Sequence, residues 1–563
     1  MRAAETNLRH LLDGNRQYRV PLFQRPYSWR TENWNTLWTD LMNLYSGEEE
    51  GYHFLGPIVT QSVPSSPDAV SPYIIIDGQQ RLTTLALLIA ALRDYLRNSG
   101  DKSKLPDELH DYLTNRYEED EGHYKVLPTQ VDRDSYQRLV GSKKATESSL
   151  ICDAYSFFYE KLQDTESSKD SRLDASKLKN MLLSRLSLVS IFLDEQDDPY
   201  LIYESLNYKG CPLSQADLIR NYFFMRLPAK KHKEIYSEIW LPLEKRFKNE
   251  VNAGDQYLDE LTNAFWYYLR KEGQAINSKL IYQSVKKRLE KKQAENIYIE
   301  LKDLTKFSEY YLRIHFPNEE PEPKLRRWFE RLGELEFTRS YPFLLNIYDD
   351  YEQKYIPLAE FEKILQYIES YLIRRWFAGI PSKGMNKTFV SLYQQLKKQH
   401  PYINANIVRM KLVGFERSQV WPSDEDFYKS IIEQPIYASN RDNKRIKFVL
   451  RSLQESLTKE RVDFSNLTVE HVMPQTLAKD WVTTLGADAS EINKKWGDTL
   501  GNLTVTAENS EMSNRSFEEK LKFLNKSNLS LNNYFRDVKQ WNDEDIQCRA
   551  RHLADLALEI WPR

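Results

Sequence analysis

Residues 73–84 read Tyr-Ile-Ile-Ile-Asp-Gly-Gln-Gln-Arg-Leu-Thr-Thr and join a short apolar run to the beginning of a helix. The apolar run at 73–76 is typical of a buried strand. Asp77-Gly78 then breaks the run, and residues 82–96 have the apolar spacing of an amphipathic helix. A strand that leads directly into a helix indicates that the first part of the chain mixes both kinds of element.

Outside this stretch, the chain has two further segments that mix strands with helices and one long helical segment. Residues 18–23 and 188–193 are predicted as strands, and residues 33–44 have helical spacing. Nearly everything from 200 to about 450 follows a helical pattern, and the last ~110 residues return to short strands and turns before ending in helices. We therefore predict an α+β, predominantly helical chain, with domains at 1–225, 226–415 and 416–563.

Composition limits the class of protein. At 563 residues the chain is too long for one ordinary core. It lacks an apolar N-terminal signal and any run of about 18 apolar residues, so we expect a cytoplasmic protein without a membrane partner. Its three cysteines are far apart, which argues against a disulfide framework or a zinc site. A net charge of −3 excludes a generally basic binder but still allows a local basic stripe.

Polar residues cluster where the strand at 73–76 meets the helix. A helix N-terminus attracts anions, and Arg81 adds a positive fork suited to phosphate. Asp77 could hold a metal, position water or simply cap the helix, since Asp-Gly turns are common structural features. Residues 23–29 supply a second Gln-Arg pair, Gln24-Arg25, beside aromatic side chains. Residues 203–221 form a third polar cluster. Three such clusters in one domain favour a binding function over isolated turns.

A second constellation lies near the C-terminus, in Thr-Val-Glu-His-Val-Met-Pro-Gln at 468–475 and Gly-Asn-Leu-Thr-Val-Thr-Ala-Glu-Asn at 501–509. Phosphodiester hydrolysis needs an activated water and neutralisation of charge on the phosphate. A neutral histidine such as His471 can take a proton from water near neutral pH. A hard divalent ion held by oxygen atoms can neutralise the charge on the phosphate. Glu470 is a candidate carboxylate ligand. Neighbours on a strand face opposite ways, so it shares a site with His471 only if the strand bends.

The asparagines after Gly501 complete this second constellation. Asn502 could orient the imidazole of His471. Asn509 or Asn514 could bring an amide oxygen to a metal ion, and the sequence leaves the choice between them open. A Glu-His dipeptide alone is usually structural, but several roles filled at suitable spacing favour a catalytic interpretation.

The N-terminal motifs resemble the GmrSD-type family of modification-dependent restriction enzymes. The resemblance is carried by VPLFQRPYSW, IIIDGQQRLTTL and IYESLNYKGCPLSQADLIRN. It implies a ParB/sulfiredoxin-like domain that binds and hydrolyses nucleoside triphosphates (NTPs), although the chain has no GxxxxGK[ST] phosphate loop. Tyr203 stands where the family usually has Phe. The residues implied for nucleotide binding are Gln24, Arg25, Asp77, Gln79, Gln80, Arg81, Glu204 and Asn207.

The C-terminal motifs are similar to the HNH (His-Me finger, ββα-metal) nuclease domain of the same family. The resemblance implies that His471 is the base and that Asn502 supports it. It further implies that Glu470, with Asn509 or Asn514, holds Mg²⁺ or Mn²⁺. An asparagine at the third position suits an oxygen-binding ion better than zinc. The two resemblances cover roughly the first 225 and last 150 residues, in the family's order.

DNA contacts are expected on basic stretches of the helical region. Candidates lie at 230–233, 286–292, 324–331 and 441–451, although most charge runs on helices are solvated faces. The stretch at 441–451 is favoured because it shortly precedes the nuclease motif. Its candidate residues are Lys444, Arg445 and Lys447.

The leading hypothesis is an NTP-regulated, divalent-metal-dependent DNA endonuclease of anti-phage defence, resembling a type IV restriction enzyme. It would nick or cut double-stranded phage or modified DNA. Two alternatives stay open: a nucleotide-gated DNA-binding switch that does not cut, and an NTPase whose hydrolysis is itself the output. A homodimer and partner proteins from a defence operon are also left open.

Overall fold

The computed structural model describes most of the chain. The described residues are 1–22, 24–64, 70–143, 149–167, 173–194, 197, 202, 213–251, 256–381, 384–437, 442–458 and 462–563. They form two units, one made of 1–245 with 285–301 and the other of 246–284 with 302–563. The predicted three-domain division stays a prediction. Among the described residues, no helix combines the length and apolarity that crossing a membrane requires.

Within the described ranges, eight strands form two sheets. They are β1 Arg2–Asn7, β2 Arg16–Arg19, β3 His53–Ser62, β4 Ser71–Asp77, β5 Val126–Leu127, β6 Leu186–Leu193, β7 Thr468–His471 and β8 Leu503–Thr506. The first six form one mixed sheet in the order β1-β6-β3-β4-β2-β5. Within it, β6 runs parallel to β3, and β2 runs parallel to β4 and β5, whereas β1–β6 and β3–β4 are antiparallel. The strands β7 and β8 pair antiparallel by themselves.

Helices make up most of the described chain. Up to residue 270 the α-helices are Leu8–Leu12, Thr31–Ser46, Gln79–Asn98, Leu105–Asp111, Gln130–Val140, Leu150–Ser167, Ala175–Asn180, Gln215–Arg226, His232–Ile235, Leu241–Val251 and Tyr257–Arg270. They continue as Ile281–Leu289, Ala294–His315, Pro323–Glu334, Tyr341–Glu352, Leu358–Phe377, Met385–Lys397, Ala405–Val413, Asp424–Glu433, Asp442–Leu457, Lys479–Leu485, Ala489–Trp496, Asn509–Met512, Phe517–Leu524 and Asp543–Ile560. The predicted α+β, predominantly helical fold class is therefore confirmed.

The helix Gln79–Asn98 is the centre of the first unit. We predicted an amphipathic helix here, but every residue from 82 to 96 is buried. The reason is that the helices Leu105–Asp111, Gln130–Val140 and Leu150–Ser167 pack against it, together with β3 and β5. Its one buried arginine, Arg93, is satisfied by Asp94 and by the carbonyl oxygens of Leu139 and Val140. A helix buried on all sides fixes the position of its own N-terminus firmly.

In the second unit, the helix Asp543–Ile560 supports the segment that leads into β8. The turn Leu500–Asn502 precedes β8 and packs on this helix. A Cβ atom at Gly501 would lie 2.4 Å from the carbonyl oxygen of Ile546, so only glycine allows the approach. Arg549 of the helix is completely buried and donates hydrogen bonds to the carbonyl oxygens of Gly501 and Leu503. The last helix thereby fixes the start of β8.

Candidate functional site

His471 is the last residue of β7 and pairs with Leu503 of β8. Its imidazole Nε2 lies 3.0 Å from the Oδ1 of Asp498. The His471 and Tyr437 rings meet edge to face, with their centroids 4.5 Å apart. The histidine side chain is 11% exposed, so it is held by two neighbours and still reaches solvent. An imidazole in this setting can exchange a proton with a water molecule.

Asp498 orients the imidazole. Burial opposes ionisation of this side chain, but hydrogen bonds from His471 and Gln475 outweigh burial and lower the pKa of the Asp498 carboxyl. An ionised carboxylate only accepts hydrogen bonds, so the proton of His471 belongs on Nε2 and the lone pair on Nδ1. The geometry therefore makes Nδ1 the atom of His471 that can act as a base.

Sequence reasoning missed Asp498. It lies 27 residues from His471, and no fixed spacing links the two. The available signal was its place shortly before Gly501, in the segment that returns the chain to β8. The packing of that segment beside the end of β7 decides the contact, and packing of this kind is not visible in a local motif.

The side chains of Glu470 and His471 have different partners. The pairing of β7 with β8 is regular through both residues, so the strand itself is not bent at Glu470. The Glu470 side chain is 4% exposed and accepts a hydrogen bond at Oε1 from the Nζ of Lys520, 2.5 Å away. Glu470 therefore meets the helix Phe517–Leu524, and a site shared by Glu470 and His471 stays a prediction.

Both members of the Glu470–Lys520 ion pair are buried. Burial raises the pKa of the Glu470 carboxyl, and Lys520 only partly offsets this effect. Burial likewise lowers the pKa of Lys520, and Glu470 only partly offsets it. Lys520 also donates a second hydrogen bond of 2.7 Å, to the carbonyl oxygen of His471. The lysine thus ties the helix to the end of β7 at two points.

Asn502 does not contact the imidazole of His471. Its Oδ1 accepts hydrogen bonds from the backbone N–H of Met473 at 2.7 Å and from the Nε1 of Trp541 at 3.0 Å. Its Nδ2 donates to the carbonyl oxygens of Met473 and Gly497, both at 2.8 Å. These four bonds use the whole capacity of the amide. The predicted contact is wrong because Asn502 holds the segment that follows His471.

The two alternative asparagines lie in different surroundings. Asn509 is half-buried and donates from Nδ2 to the carbonyl oxygen of Val469, at 2.8 Å, in the strand that carries Glu470. Asn514 is exposed. Of the two, Asn509 is therefore the one whose contact ties it to β7. Within the part of the chain that the structure describes, no group of three His, Cys, Asp or Glu side chains is placed to hold a metal.

The N-terminal cluster forms where β4 ends and the helix Gln79–Asn98 begins. Gly78 caps this helix at φ +93°, a left-handed conformation that favours glycine. Burial raises the pKa of Asp77, and the charges of Arg81 and Arg25 oppose that rise. Burial lowers the pKa of Arg81, which donates to the carbonyl oxygen of Pro57. Two arginines and one carboxyl are thus within electrostatic reach of a helix N-terminus.

Three glutamines hold the segment 24–28 against this helix start. The amide of Gln24 donates to the carbonyl oxygens of Ile75 and Ile76 in β4, at 2.8 and 3.1 Å. Gln79 donates to the carbonyl oxygen of Arg25 at 3.2 Å. Gln80 accepts from the N–H of Ser28 at 2.9 Å and donates to the carbonyl oxygen of Pro26 at 3.3 Å. The glutamines therefore position the backbone that carries Arg25.

Arg25 is the side chain that this arrangement leaves available. It is half-buried, and its side chain makes no hydrogen bond or ion pair with the described residues. Arg25 and Arg81 can therefore supply positive charge to an anion at the helix N-terminus. Glu204 and Asn207, which we also predicted at this site, lie outside the described residues.

Gly78→Ala is expected to destabilise the first unit and to weaken this site. An added Cβ would lie 2.5 Å from the Cδ1 of Ile58 and would force a left-handed alanine. We expect a loss of about 1–3 kcal/mol, measured by denaturant unfolding. Gly14→Ala is the matched control, because Gly14 has φ +68° but nothing within 4 Å of the added atom. Equal losses in the two variants would contradict the close packing at Gly78.

Lys444 and Lys447 line a groove of about 630 Å³ in the second unit. Its basic residues are Arg327, Arg331, Lys444, Lys447 and Arg451, and its acidic residues are Glu330, Glu334, Glu336, Glu455 and Asp463. Lys444 pairs with Glu336 at 3.3 Å. Arg445 is exposed. Because acids match bases, the groove is not a uniformly positive surface, and DNA contact by Lys444, Arg445 and Lys447 stays a prediction.

Comparison with known families gives two matches. The N-terminal domain of the GmrSD restriction endonuclease matches residues 8–224, which include the cluster around Asp77. The C-terminal domain of GmrSD restriction endonucleases matches residues 421–556, which include His471 and Asp498. A comparison with the curated proteins found no match.

Proposed function

The chain belongs to the GmrSD restriction endonuclease family and is a restriction-type DNA endonuclease, and from this premise we propose that it hydrolyses DNA at His471 under the control of a nucleoside triphosphate bound near Asp77. The proposal includes a role in anti-phage defence against phage or modified DNA. The observation that carries it is the His471–Asp498 pair at the end of β7, within the matched C-terminal domain.

The hydrolytic step uses the free nitrogen of His471. Nδ1 takes a proton from the water that attacks the phosphorus, and the 3′ or 5′ oxygen leaves. The Asp498 carboxylate accepts the Nε2–H hydrogen bond and stabilises the imidazolium that forms. The edge of Tyr437 restricts rotation of the ring. On this proposal, β7, β8 and the helix Phe517–Leu524 correspond to the strands and helix of an HNH, ββα-metal domain.

Glu470 and Asn509 carry oxygen donors of the kind that suits a hard divalent ion such as Mg²⁺ or Mn²⁺. Glu470 offers a carboxylate, and Asn509 offers an amide oxygen that accepts no hydrogen bond from the described residues. Oxygen donors of this kind suit Mg²⁺ better than zinc. A bound ion would supply positive charge to the phosphate and the leaving oxygen. Asn514 is the alternative to Asn509.

The regulatory part of the proposal rests on the N-terminal domain. Arg25 and Arg81 would contact the phosphates of the nucleotide at the N-terminus of the helix Gln79–Asn98. Gln24, Gln79 and Gln80 would keep the segment carrying Arg25 in place. Asp77, whose pKa is raised by burial, would lie beside these charges. We propose a ParB/sulfiredoxin-like fold for this domain and hydrolysis of the nucleotide as its reaction.

The test combines DNA, metal and nucleotide. Purified full-length protein is incubated with plasmid and with unmodified and modified phage DNA, Mg²⁺ or Mn²⁺, and a panel of NTPs. Nicked or linear products that need both metal and an NTP are expected, and chelation with EDTA should abolish them. DNA that stays intact in every combination would contradict the proposal. Metal-independent DNA binding without products would favour the non-cleaving switch instead.

The NTPase alternative requires a second comparison in cells. If hydrolysis were the output, Arg81→Ala would abolish protection against phage while His471→Ala would spare it. We expect both substitutions to abolish protection, because the nucleotide controls the nuclease and the nuclease destroys the DNA. A plaque assay with the two variants separates these outcomes.

Asp498→Ala is expected to lower the rate of DNA cleavage by roughly 10- to 100-fold, because the imidazole loses the carboxylate that fixes its tautomer. Asp498→Asn should lose a similar amount although its shape is kept, since an amide can also donate to Nε2. Asp480→Ala is the control, because Asp480 is exposed on a nearby helix. Single-turnover cleavage of supercoiled plasmid measures the rates. Full activity in Asp498→Asn would show that the charge is not needed.

A further inference from the structure

The ammonium group of Lys520 pairs with the carboxylate of Glu470. It lies on the helix Phe517–Leu524, and its side chain is completely buried. Its Nζ reaches the Oε1 of Glu470 at 2.5 Å and the carbonyl oxygen of His471 at 2.7 Å. Placing an ammonium group in such surroundings costs several kcal/mol, which partners of this kind only partly offset.

The two contacts join Lys520 to both components of the proposed nuclease site. Glu470 is the carboxylate that the proposed function assigns to a divalent ion. The carbonyl of His471 belongs to the residue that carries the base. An ammonium group and a divalent ion both need the oxygens of Glu470, and two adjacent positive charges in a buried site repel each other. The ammonium group of Lys520 therefore competes with a divalent ion for the oxygens of Glu470.

We propose that Lys520 is a tethered cation that occupies Glu470 in the metal-free protein and yields that carboxylate when a divalent ion binds. The inference rests on the proposed function, since it takes Glu470 as a metal ligand. Because Lys520 holds Glu470 without an ion, the site stays assembled between DNA encounters. Because the divalent ion must displace the ammonium group of Lys520 from Glu470, the affinity of the site for the ion is reduced. No bond other than these electrostatic contacts forms or breaks.

Binding of Mn²⁺ to full-length protein without DNA tests the proposal directly. Titration followed by the electron paramagnetic resonance signal of free Mn²⁺ gives the affinity, and Glu470→Gln identifies the part that depends on this carboxylate. Lys520→Met is expected to bind Mn²⁺ at this site about 10-fold tighter than the unaltered chain, because the competing charge is gone. Lys522→Met is the matched control, since Lys522 is exposed on the same helix. It should bind as the unaltered chain does.

Thermal unfolding supplies a second, independent measurement. Without metal, Lys520→Met should unfold at a lower temperature, because Glu470 is left buried and unpaired. Addition of Mn²⁺ should raise the Tm of Lys520→Met more than that of the unaltered chain. Lys520→Gln keeps hydrogen-bonding capacity without charge and should show the same tighter binding. This second variant decides the question if Lys520→Met does not fold.

The outcomes separate this inference from the proposed function. Unchanged or weaker Mn²⁺ binding in both Lys520 variants, or tighter binding that persists after Glu470→Gln, overturns the role of Lys520. Either result leaves the cleavage assay of the unaltered chain untouched. If the unaltered chain cuts no DNA, the proposed function fails, while the Mn²⁺ titration still reports on Lys520. Absence of Mn²⁺ binding at Glu470 in every variant also overturns the inference.

Discussion

His471→Ala is expected to lower the rate of DNA cleavage by roughly 10²- to 10⁴-fold, the range that loss of a general base produces. The substitution removes Nδ1, the nitrogen left free by the Asp498 contact, so water must be deprotonated without a positioned acceptor. Single-turnover cleavage of supercoiled plasmid, with saturating metal and nucleotide, measures the effect on the chemical step. DNA binding should persist, because the substitution removes no positive surface charge.

The control for this experiment is His552→Ala. His552 is exposed on the helix Asp543–Ile560 and stacks on Tyr534, with ring centroids 5.6 Å apart. It should cut DNA at the unaltered rate. NTP hydrolysis should be unchanged in His471→Ala, because the nucleotide site is proposed in the other unit. Cleavage by His471→Ala at the unaltered rate would remove His471 from the mechanism.

Asn502→Ala is expected to destabilise the second unit by about 3–5 kcal/mol, at the upper end of single-residue effects. It leaves the N–H of Met473, the Nε1 of Trp541 and two carbonyl oxygens without their partner in a buried place. Each unsatisfied buried polar group costs about 1–3 kcal/mol, partly relieved by local rearrangement. Thermal unfolding monitored by tryptophan fluorescence measures the loss.

Asn528→Ala provides the comparison, because Asn528 is exposed in the same unit. It should change the Tm very little. The pair of variants also distinguishes two roles for Asn502. A stable Asn502→Ala protein that has lost cleavage would mean that the amide acts on the imidazole, as the sequence led us to expect. A destabilised protein supports the structural role.

Local patterns were enough to locate several of the helices and strands. The helical spacing at 33–44 corresponds to the helix Thr31–Ser46, and the apolar runs at 73–76 and 188–193 correspond to β4 and β6. The strand expected at 18–23 ends earlier, at Arg19. Periodicity reports which residues avoid water, and this signal is contained within a few turns of chain.

Partners of individual side chains could not be predicted in the same way. Asp498 and Lys520 reach His471 and Glu470 across 27 and 50 residues, and only the folded packing brings them together. Asn502 was identified by its motif, but its role depended on which groups the turn faces. The helix Gln79–Asn98 has the spacing of a one-sided helix, yet neighbours distant in sequence bury its other side. Local sequence patterns do not predict contacts between residues that lie far apart in the chain.

The contact between Gly501 and the helix Asp543–Ile560 determines when, during translation, the site at His471 can be completed. Ribosomes make β7 before they make this helix, and the turn Leu500–Asn502 lacks its contacts with Ile546 and Arg549 until these residues have emerged. Until then, Asn502, which holds Met473 shortly after His471, also lacks its contact with Trp541. On the proposed function, the site at His471 is completed only after translation of the last helix, and by then the N-terminal domain that we propose to regulate it has long been synthesised.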